Sequence, residues 1–118
     1  MNHIDIGDSG EQLAVRYLNN LGYKILATKY RAKVGEIDII AKDKEFLVFV
    51  EVKTRRSVAY GFPAEAVTLR KQQKIINAAL CFLSQRGLND TACRFDILEV
   101  YLLRDELRCN HIINAFGN

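Results

Sequence analysis

Proline is almost missing from this chain, with one in 118 residues. Together with an apolar fraction of 49%, that scarcity excludes the Pro-rich, weakly hydrophobic composition of a disordered segment. No apolar run approaches the roughly 20 residues that cross a bilayer. The first residues also lack the apolar core of a signal peptide. The expectation is a cytoplasmic protein with no membrane partner. Cysteine is sparse as well: Cys81, Cys93 and Cys109 are odd in number and show no CxxC spacing. His3 and His111 lie far apart, so a structural zinc site is not expected, and free thiols in a reducing compartment are. Internal repeats, low-complexity segments and long linkers are absent too. The length predicts a single domain over residues 1–118, large enough to bury one core. A net charge of +3 agrees with nucleic-acid binding but does not establish it.

What is present is a regular succession of elements. Asp8, with Glu11 three residues on, reads as the N-cap and capping-box partner of a first helix. Leu13, Ala14, Tyr17, Leu18 and Leu21 follow at helical spacing, and Gly22 ends the run. Tyr23 to Lys29 reads as a strand, and Tyr30 to Val34 as a basic connector. Glu36 to Ala41 and Phe46 to Thr54 read as a hairpin around the polar turn Lys42-Asp43-Lys44-Glu45. A loop from Arg55 to Pro63 leads to a helix over Thr68 to Arg86, capped by Thr68 and ended by Gly87. Arg94 to Leu102 and Leu107 to Ile113 read as the last strands, so the order is α-β-β-β-α-β-β. The hairpin is apolar on both faces, with Phe46, Val48, Val50 and Val52 on one and Leu47 and Phe49 on the other. A strand buried on both faces needs cover on both, and two helices can supply it.

Inside these apolar strands stand Asp38, then Glu51 thirteen residues on, then Lys53 two further. Ionised side chains rarely occupy such positions unless they are paired or bind a metal. Pairing Lys42 with Glu45 places Glu36 opposite Glu51 and Asp38 opposite Phe49. On that register Glu36, Asp38, Glu51 and Lys53 share one sheet face. Facing carboxylates call for a cation between them, and a hard divalent ion such as Mg²⁺ suits oxygen ligands. Glu11 lines up with Ala14 and Leu18 on the apolar stripe of its helix, where it can be delivered towards the sheet. Each residue also has a plainer reading: a capping box for Glu11, a solvated strand mouth for Glu36, a cross-strand salt bridge for Asp38 and Lys53. Glu51, between Val50 and Val52, is the hardest to explain that way.

Asp38 with Glu51-Val52-Lys53 resembles the PD-(D/E)xK nuclease signature, without its literal Pro-Asp. Gly10-Glu11, Leu21-Gly22-Tyr23, Gly35-Glu36-Ile37-Asp38, Phe49 to Lys53 and Arg94-Phe95-Asp96 together resemble the bacterial YraN family. Its members are regarded as endonuclease-like and distantly similar to archaeal Holliday-junction resolvases. One departure is visible: the family pattern has Asn ahead of the Tyr30-Arg31 pair, where this chain has Lys29. The resemblance implies an α/β fold with a restriction-endonuclease-like core, a mixed central sheet flanked by helices. It implies that Asp38 and Glu51 bind Mg²⁺ or Mn²⁺, with the Val52 carbonyl as a third ligand and Glu11 direct or through water. Lys53 is then the residue that orients the attacking water, and the products carry 5′-phosphate and 3′-hydroxyl ends.

Arg31, Lys33, Arg55, Arg56 and Lys71 flank this site in sequence and are candidates to clamp phosphates, against ordinary solvation as the alternative. Gln73 falls on the stripe of Leu69, Ile76 and Leu80 and is expected to point inward, whereas Lys74 falls on the polar side. Tyr60 is expected to pack within its loop, and Asp96 to pair with Arg94 or a loop donor. The expected function is a Mg²⁺-dependent endonuclease on branched or otherwise structured DNA. The alternatives are a DNA-binding accessory protein that keeps the metal site but cleaves poorly alone, and an interaction module held by a carboxylate–Lys53 network. A homodimer would suit cutting of both strands.

Overall fold

The computed structural model describes residues 6–55, 67–104 and 106–117, and of residues 6–8 the backbone alone. Arg56, Tyr60 and Gly61 lie outside these described residues. The chain runs α1 (Ile6–Asn20), β1 (Lys24–Ala32), β2 (Gly35–Asp43), β3 (Phe46–Arg55), α2 (Leu69–Arg86), β4 (Cys93–Leu102) and β5 (Leu107–Phe116). That is the expected order. The strands form one five-stranded sheet in the order β1-β2-β3-β4-β5. Only β3 and β4 run parallel; the other neighbours are antiparallel. A parallel pair needs a crossover, and α2 is that crossover. This mixed α/β arrangement is compatible with a restriction-endonuclease-like core.

Both helices end on glycine in the left-handed region, where a side chain would be strained. Gly22 (φ 92°) follows α1, and the Tyr23 N–H donates to the Leu18 carbonyl at 3.0 Å. Gly87 (φ 65°) follows α2, with the Leu88 N–H on the Leu83 carbonyl at 2.8 Å. Thr68 caps α2 as expected, its hydroxyl accepting from the Lys71 N–H at 3.1 Å. The first helix begins at Ile6, so Asp8 sits inside it and is not its N-cap. A cap at Asp8 puts the first helical residue at Ser9, three residues after the observed start.

Each helix covers one face of the sheet. Ala14 and Leu18 of α1 pack on Ile39, Ala41, Val48, Val50, Leu98 and Val100. Ile75, Ala78, Ala79, Phe82 and Leu83 of α2 pack on Ile37, Ile40, Leu47, Phe49 and Ile97. Strand β3 therefore lies buried on both faces, with the two sets of side chains divided as its alternation requires.

Two expectations about the hairpins need correction. The connector Tyr30 to Val34 is mostly strand: β1 runs to Ala32, which pairs with Gly35. The β2–β3 turn is also tighter than four residues. Asp43 pairs with Phe46 across the two-residue turn Lys44-Glu45, with Lys44 in the left-handed region at φ 55°. The register therefore moves by two: Phe49 faces Ile40, not Asp38, and Val50 faces Ile39. One step further along the same register Asp38 comes opposite Glu51, while Glu36 lies beyond it, paired with Arg31 of β1.

Strand alternation also slips here, since Ile37 and Ile40 both reach the α2-side core. The opposing residue in β1 is Lys29, between the pairs Thr28–Ile39 and Tyr30–Ile37, and it is left-handed at φ 52°. Asn tolerates that conformation better than Lys does. Lys29→Asn should raise stability by about 0.5–1 kcal/mol, read as an increase in the urea midpoint at unchanged slope.

A buried polar cluster closes the α1 face. Asp96 is fully buried; its carboxylate accepts from Arg94 Nε (3.0 Å) and the Asn114 N–H (2.9 Å) and lies 2.7 Å from His111 Nε2. Arg94 also donates to Asp43 (3.1 Å) and to the Tyr23 hydroxyl (2.7 Å), tying β2, β4 and the end of α1 together. The pairing with Arg94 is one of the two roles expected for Asp96. Burial alone would raise the Asp96 pKa, but the bonds to His111, Arg94 and Asn114 outweigh it and hold the carboxyl below its usual value. A depressed carboxyl contributes stability that is complete above about pH 4 and is lost as pH falls through the folded value. Asp96→Asn should cost about 3 kcal/mol at neutral pH and flatten the acid limb of a pH–stability profile measured by urea unfolding.

Candidate functional site

The tight β2–β3 turn brings Asp38 and Glu51 together at the end of the hairpin away from that turn. Asp38 stands where the ladder ends, and its Oδ2 accepts from the Val52 N–H at 2.7 Å. That bond fixes one carboxylate on the backbone of the strand that carries the other. Glu51 is 5% exposed, and Lys53 Nζ lies 3.6 Å and Lys71 Nζ 3.8 Å from its Oε2. Lys53 shares a face with Glu51 by strand alternation, and Lys71 descends from the first turn of α2. The constellation expected from Asp38, Glu51 and Lys53 is present, on the α2 side of the sheet. Glu36 is not part of it: it lies mostly exposed beside Arg31, with 3.6 Å between Arg31 Nε and Glu36 Oε2.

Electrostatics set Glu51 apart. Burial first, then the charge and hydrogen bond of Asp38, push its pKa from 4.5 up to about 7, while Lys71 and Lys53 pull the other way. Two ammonium groups do not offset desolvation plus a facing carboxylate. Up to about pH 7 the pair relieves its repulsion by keeping a proton on Glu51, a place that a cation between the two carboxylates could take. Among the described residues no group of three or more His, Cys, Asp and Glu side chains gathers. Two carboxylates still fit Mg²⁺, which is commonly held by one or two of them with water and substrate phosphate completing the shell.

Glu11 lines a cavity of about 350 Å³ with Gln12, Val15, Thr28 and Lys29, where α1 meets β1. The groups acting on the Glu51 carboxyl are Asp38, Lys71 and Lys53. Gly10, one residue before Glu11, lies against the side chain of Thr54, which leaves no room there for a Cβ. The N-terminal part of α1 is thereby held over the same end of β3 that carries Glu51 and Lys53.

The basic candidates divide. Arg31, Lys33 and Lys71 line one cavity of about 360 Å³, and Lys74 joins them. Arg55 instead turns to Glu99, with Nε 3.2 Å from Oε2. Gln73 does not point inward: it is exposed and donates to Asn77 Oδ1 at 3.0 Å. Of the stripe that suggested otherwise, Leu69 is 82% and Leu80 58% exposed, while Ile76 packs against the core. The buried face of α2 is that of Ile75, Ala78, Ala79, Phe82 and Leu83.

The sequence reading missed Glu99. It is 1% exposed, lies beside Lys53 in the parallel register, and accepts from Arg55 and from the Tyr101 hydroxyl at 2.7 Å. Its signal was the one that revealed Glu51, a carboxylate between Leu98 and Val100 in an apolar strand. Glu99 and Arg55 brace the strand end on which Lys53 stands.

A raised carboxyl pKa weakens the fold as pH climbs from 4.5 to about 7, and above that the full penalty is present. Glu51→Gln should therefore be more stable than the parent by about 2 kcal/mol at pH 8 and nearly equal to it at acid pH, by urea unfolding in EDTA.

Known proteins match nearly the whole chain. The profile of the Uncharacterised protein family UPF0102 matches residues 10–100. A UPF0102 protein of Clostridioides difficile (strain 630) is 51% identical over 116 residues, covering 98% of this chain and 100% of that protein. One of Caldanaerobacter subterraneus subsp. tengcongensis is 47% identical, covering 98% of each. A third, of Caldicellulosiruptor saccharolyticus, is 46% identical and covers 98% of this chain and all of that relative.

Proposed function

The chain belongs to the UPF0102 family, and from the site it carries we propose that it is a Mg²⁺-dependent endonuclease acting on DNA. The observation that carries this reading is half-buried Asp38 facing buried Glu51, whose carboxyl pKa that neighbour helps to raise to about 7, with Lys53 beside it. The similarity of Asp38 and Glu51-Val52-Lys53 to the PD-(D/E)xK signature supports it. Branched or otherwise structured DNA is the favoured substrate, on the resemblance to junction resolvases. A cytoplasmic location goes with that substrate, and no helix among the described residues is long and apolar enough to cross a membrane. A homodimer would let two such sites act on both strands of a duplex.

Asp38 and Glu51 would hold the ion, with the Val52 carbonyl and Glu11 as the further ligands. A divalent ion bound there supplies charge neutralisation at the scissile phosphate and a water acidic enough to deprotonate near neutral pH. Asp38 contributes a carboxylate whose orientation is set by the Val52 N–H. Glu51 contributes one whose burial keeps bulk water from screening it. Lys53, half-buried beside Glu51, orients the attacking water and favours the ionised form of its neighbour. Lys71 adds positive charge at the same carboxylate from the helix side.

Asp38→Asn and Glu51→Gln should each abolish Mg²⁺-dependent cleavage of a four-way junction while the circular dichroism spectrum is kept. Lys53→Ala should keep Mg²⁺ binding by calorimetry and lose at least about 100-fold in turnover. Cleavage by Asp38→Asn at the parent rate would overturn the assignment. Mg²⁺ binding without cleavage of junction or duplex would favour an accessory DNA-binding role. No Mg²⁺ binding, with loss of stability in Lys53→Ala, would leave a structural ion network.

A further inference from the structure

The tip of the β1–β2 hairpin leans on α2 beside the carboxylate pair, and the space between them is basic. Arg31, Lys33, Lys71 and Lys74 line a cavity of about 360 Å³ whose one acidic lining residue is Glu36. The hairpin tip is fixed against the helix: a Cβ on Gly35 would stand 2.6 Å from the Lys74 carbonyl oxygen. The backbone positions from which the four cations project are thus set by two packed elements. The first turn of α2 carries no acidic residue, so the positive end of the helix dipole adds to the field. The ion pair of Arg31 and Glu36 is 3.6 Å long, with side chains 77% and 57% exposed. A pair that open is worth little, so Arg31 can exchange it for another anion at small cost. Lys71 belongs to both places, lining the cavity and lying 3.8 Å from Glu51 Oε2.

We propose that this cavity seats backbone phosphate of the nucleic-acid strand whose scissile phosphate lies at Asp38 and Glu51, with Lys71 as the link between the two positions. The proposal rests on the nuclease reading for the direction of the strand, but its binding half is separable from catalysis. Lys74, which the sequence pattern assigned to the polar side of α2, is part of the seat. Arg55 is not, being held by Glu99. Backbone contacts of this kind fix position and register without reading base sequence.

The test is fluorescence anisotropy with a labelled DNA strand and its duplex in EDTA, where metal-dependent cleavage cannot occur. Two variants of equal net charge are compared with the parent: Arg31→Gln/Lys33→Gln/Lys74→Gln, and the exposed, distant set Arg16→Gln/Lys24→Gln/Lys42→Gln. The cavity variant should weaken binding at least about 10-fold and reduce the slope of log affinity against log salt by about 2 for the single strand. The distant set should change the slope by less than about half that. Equal losses in the two variants would overturn the seat, as would failure of the parent to bind either probe, or binding of thymidine monophosphate as tightly as the strand. Cavity-dependent binding with no Mg²⁺-dependent cleavage would uphold the seat and remove the nuclease reading. Cleavage with the salt slope unchanged in the cavity variant would do the reverse.

Discussion

The meeting of the Asp38 and Glu51 carboxylates is the constraint on which the rest of this structure turns. Burying one carboxylate against another is costly unless a cation or a proton intervenes, and here Glu51 meets that cost by a pKa raised to about 7. The fold accepts it because the surrounding elements leave no alternative placement. Strand β3 is central and buried on both faces, so its odd-numbered residues past Phe49 must face α2. The Val52 N–H, unpaired in the β2–β3 ladder at that point, takes Asp38 as its acceptor. Backbone satisfaction and charge placement are accomplished by one bond.

Around that pair the sheet is braced on both faces by buried ionic groups. On the α1 side Asp96 and Arg94 join β4 to β2, to β5 through Asn114 and His111, and to the end of α1 through Tyr23. On the α2 side Glu99 holds Arg55 and Tyr101 next to Lys53. Each carboxylate of these braces has a close cationic or hydroxyl donor, as Glu51 has in Lys53 and Lys71, but Glu51 also faces a second carboxylate that helps to raise its pKa. The pair alone keeps two acids side by side.

Much of this was legible in the sequence because strands this apolar expose any charge within them. The element order, the Thr68 and Gly87 caps, the two-sided burial of β3 and the Asp38, Glu51 and Lys53 grouping all follow from spacing and composition. The register did not. Lys42 to Glu45 reads as four turn residues of equal polarity, and nothing local says that Lys44 will take a left-handed conformation and close the hairpin two residues tighter. That shift removed Glu36 from the site and put Asp38 across from Glu51. The face of α2 was misread for a related reason: Leu69 and Leu80 are apolar yet exposed, so hydrophobicity alone pointed Gln73 the wrong way. Lys29 gives the reverse lesson, since its left-handed backbone becomes visible only once the strands are paired.

The most direct measurement is the titration of the Glu51 side-chain carboxyl by carbon NMR, with and without Mg²⁺. The structure predicts a midpoint at about 7 in EDTA, falling by about 2 pH units when Mg²⁺ is added. An ordinary glutamate midpoint in EDTA would contradict the carboxylate pair itself. A raised midpoint that Mg²⁺ leaves unmoved would contradict the metal centre.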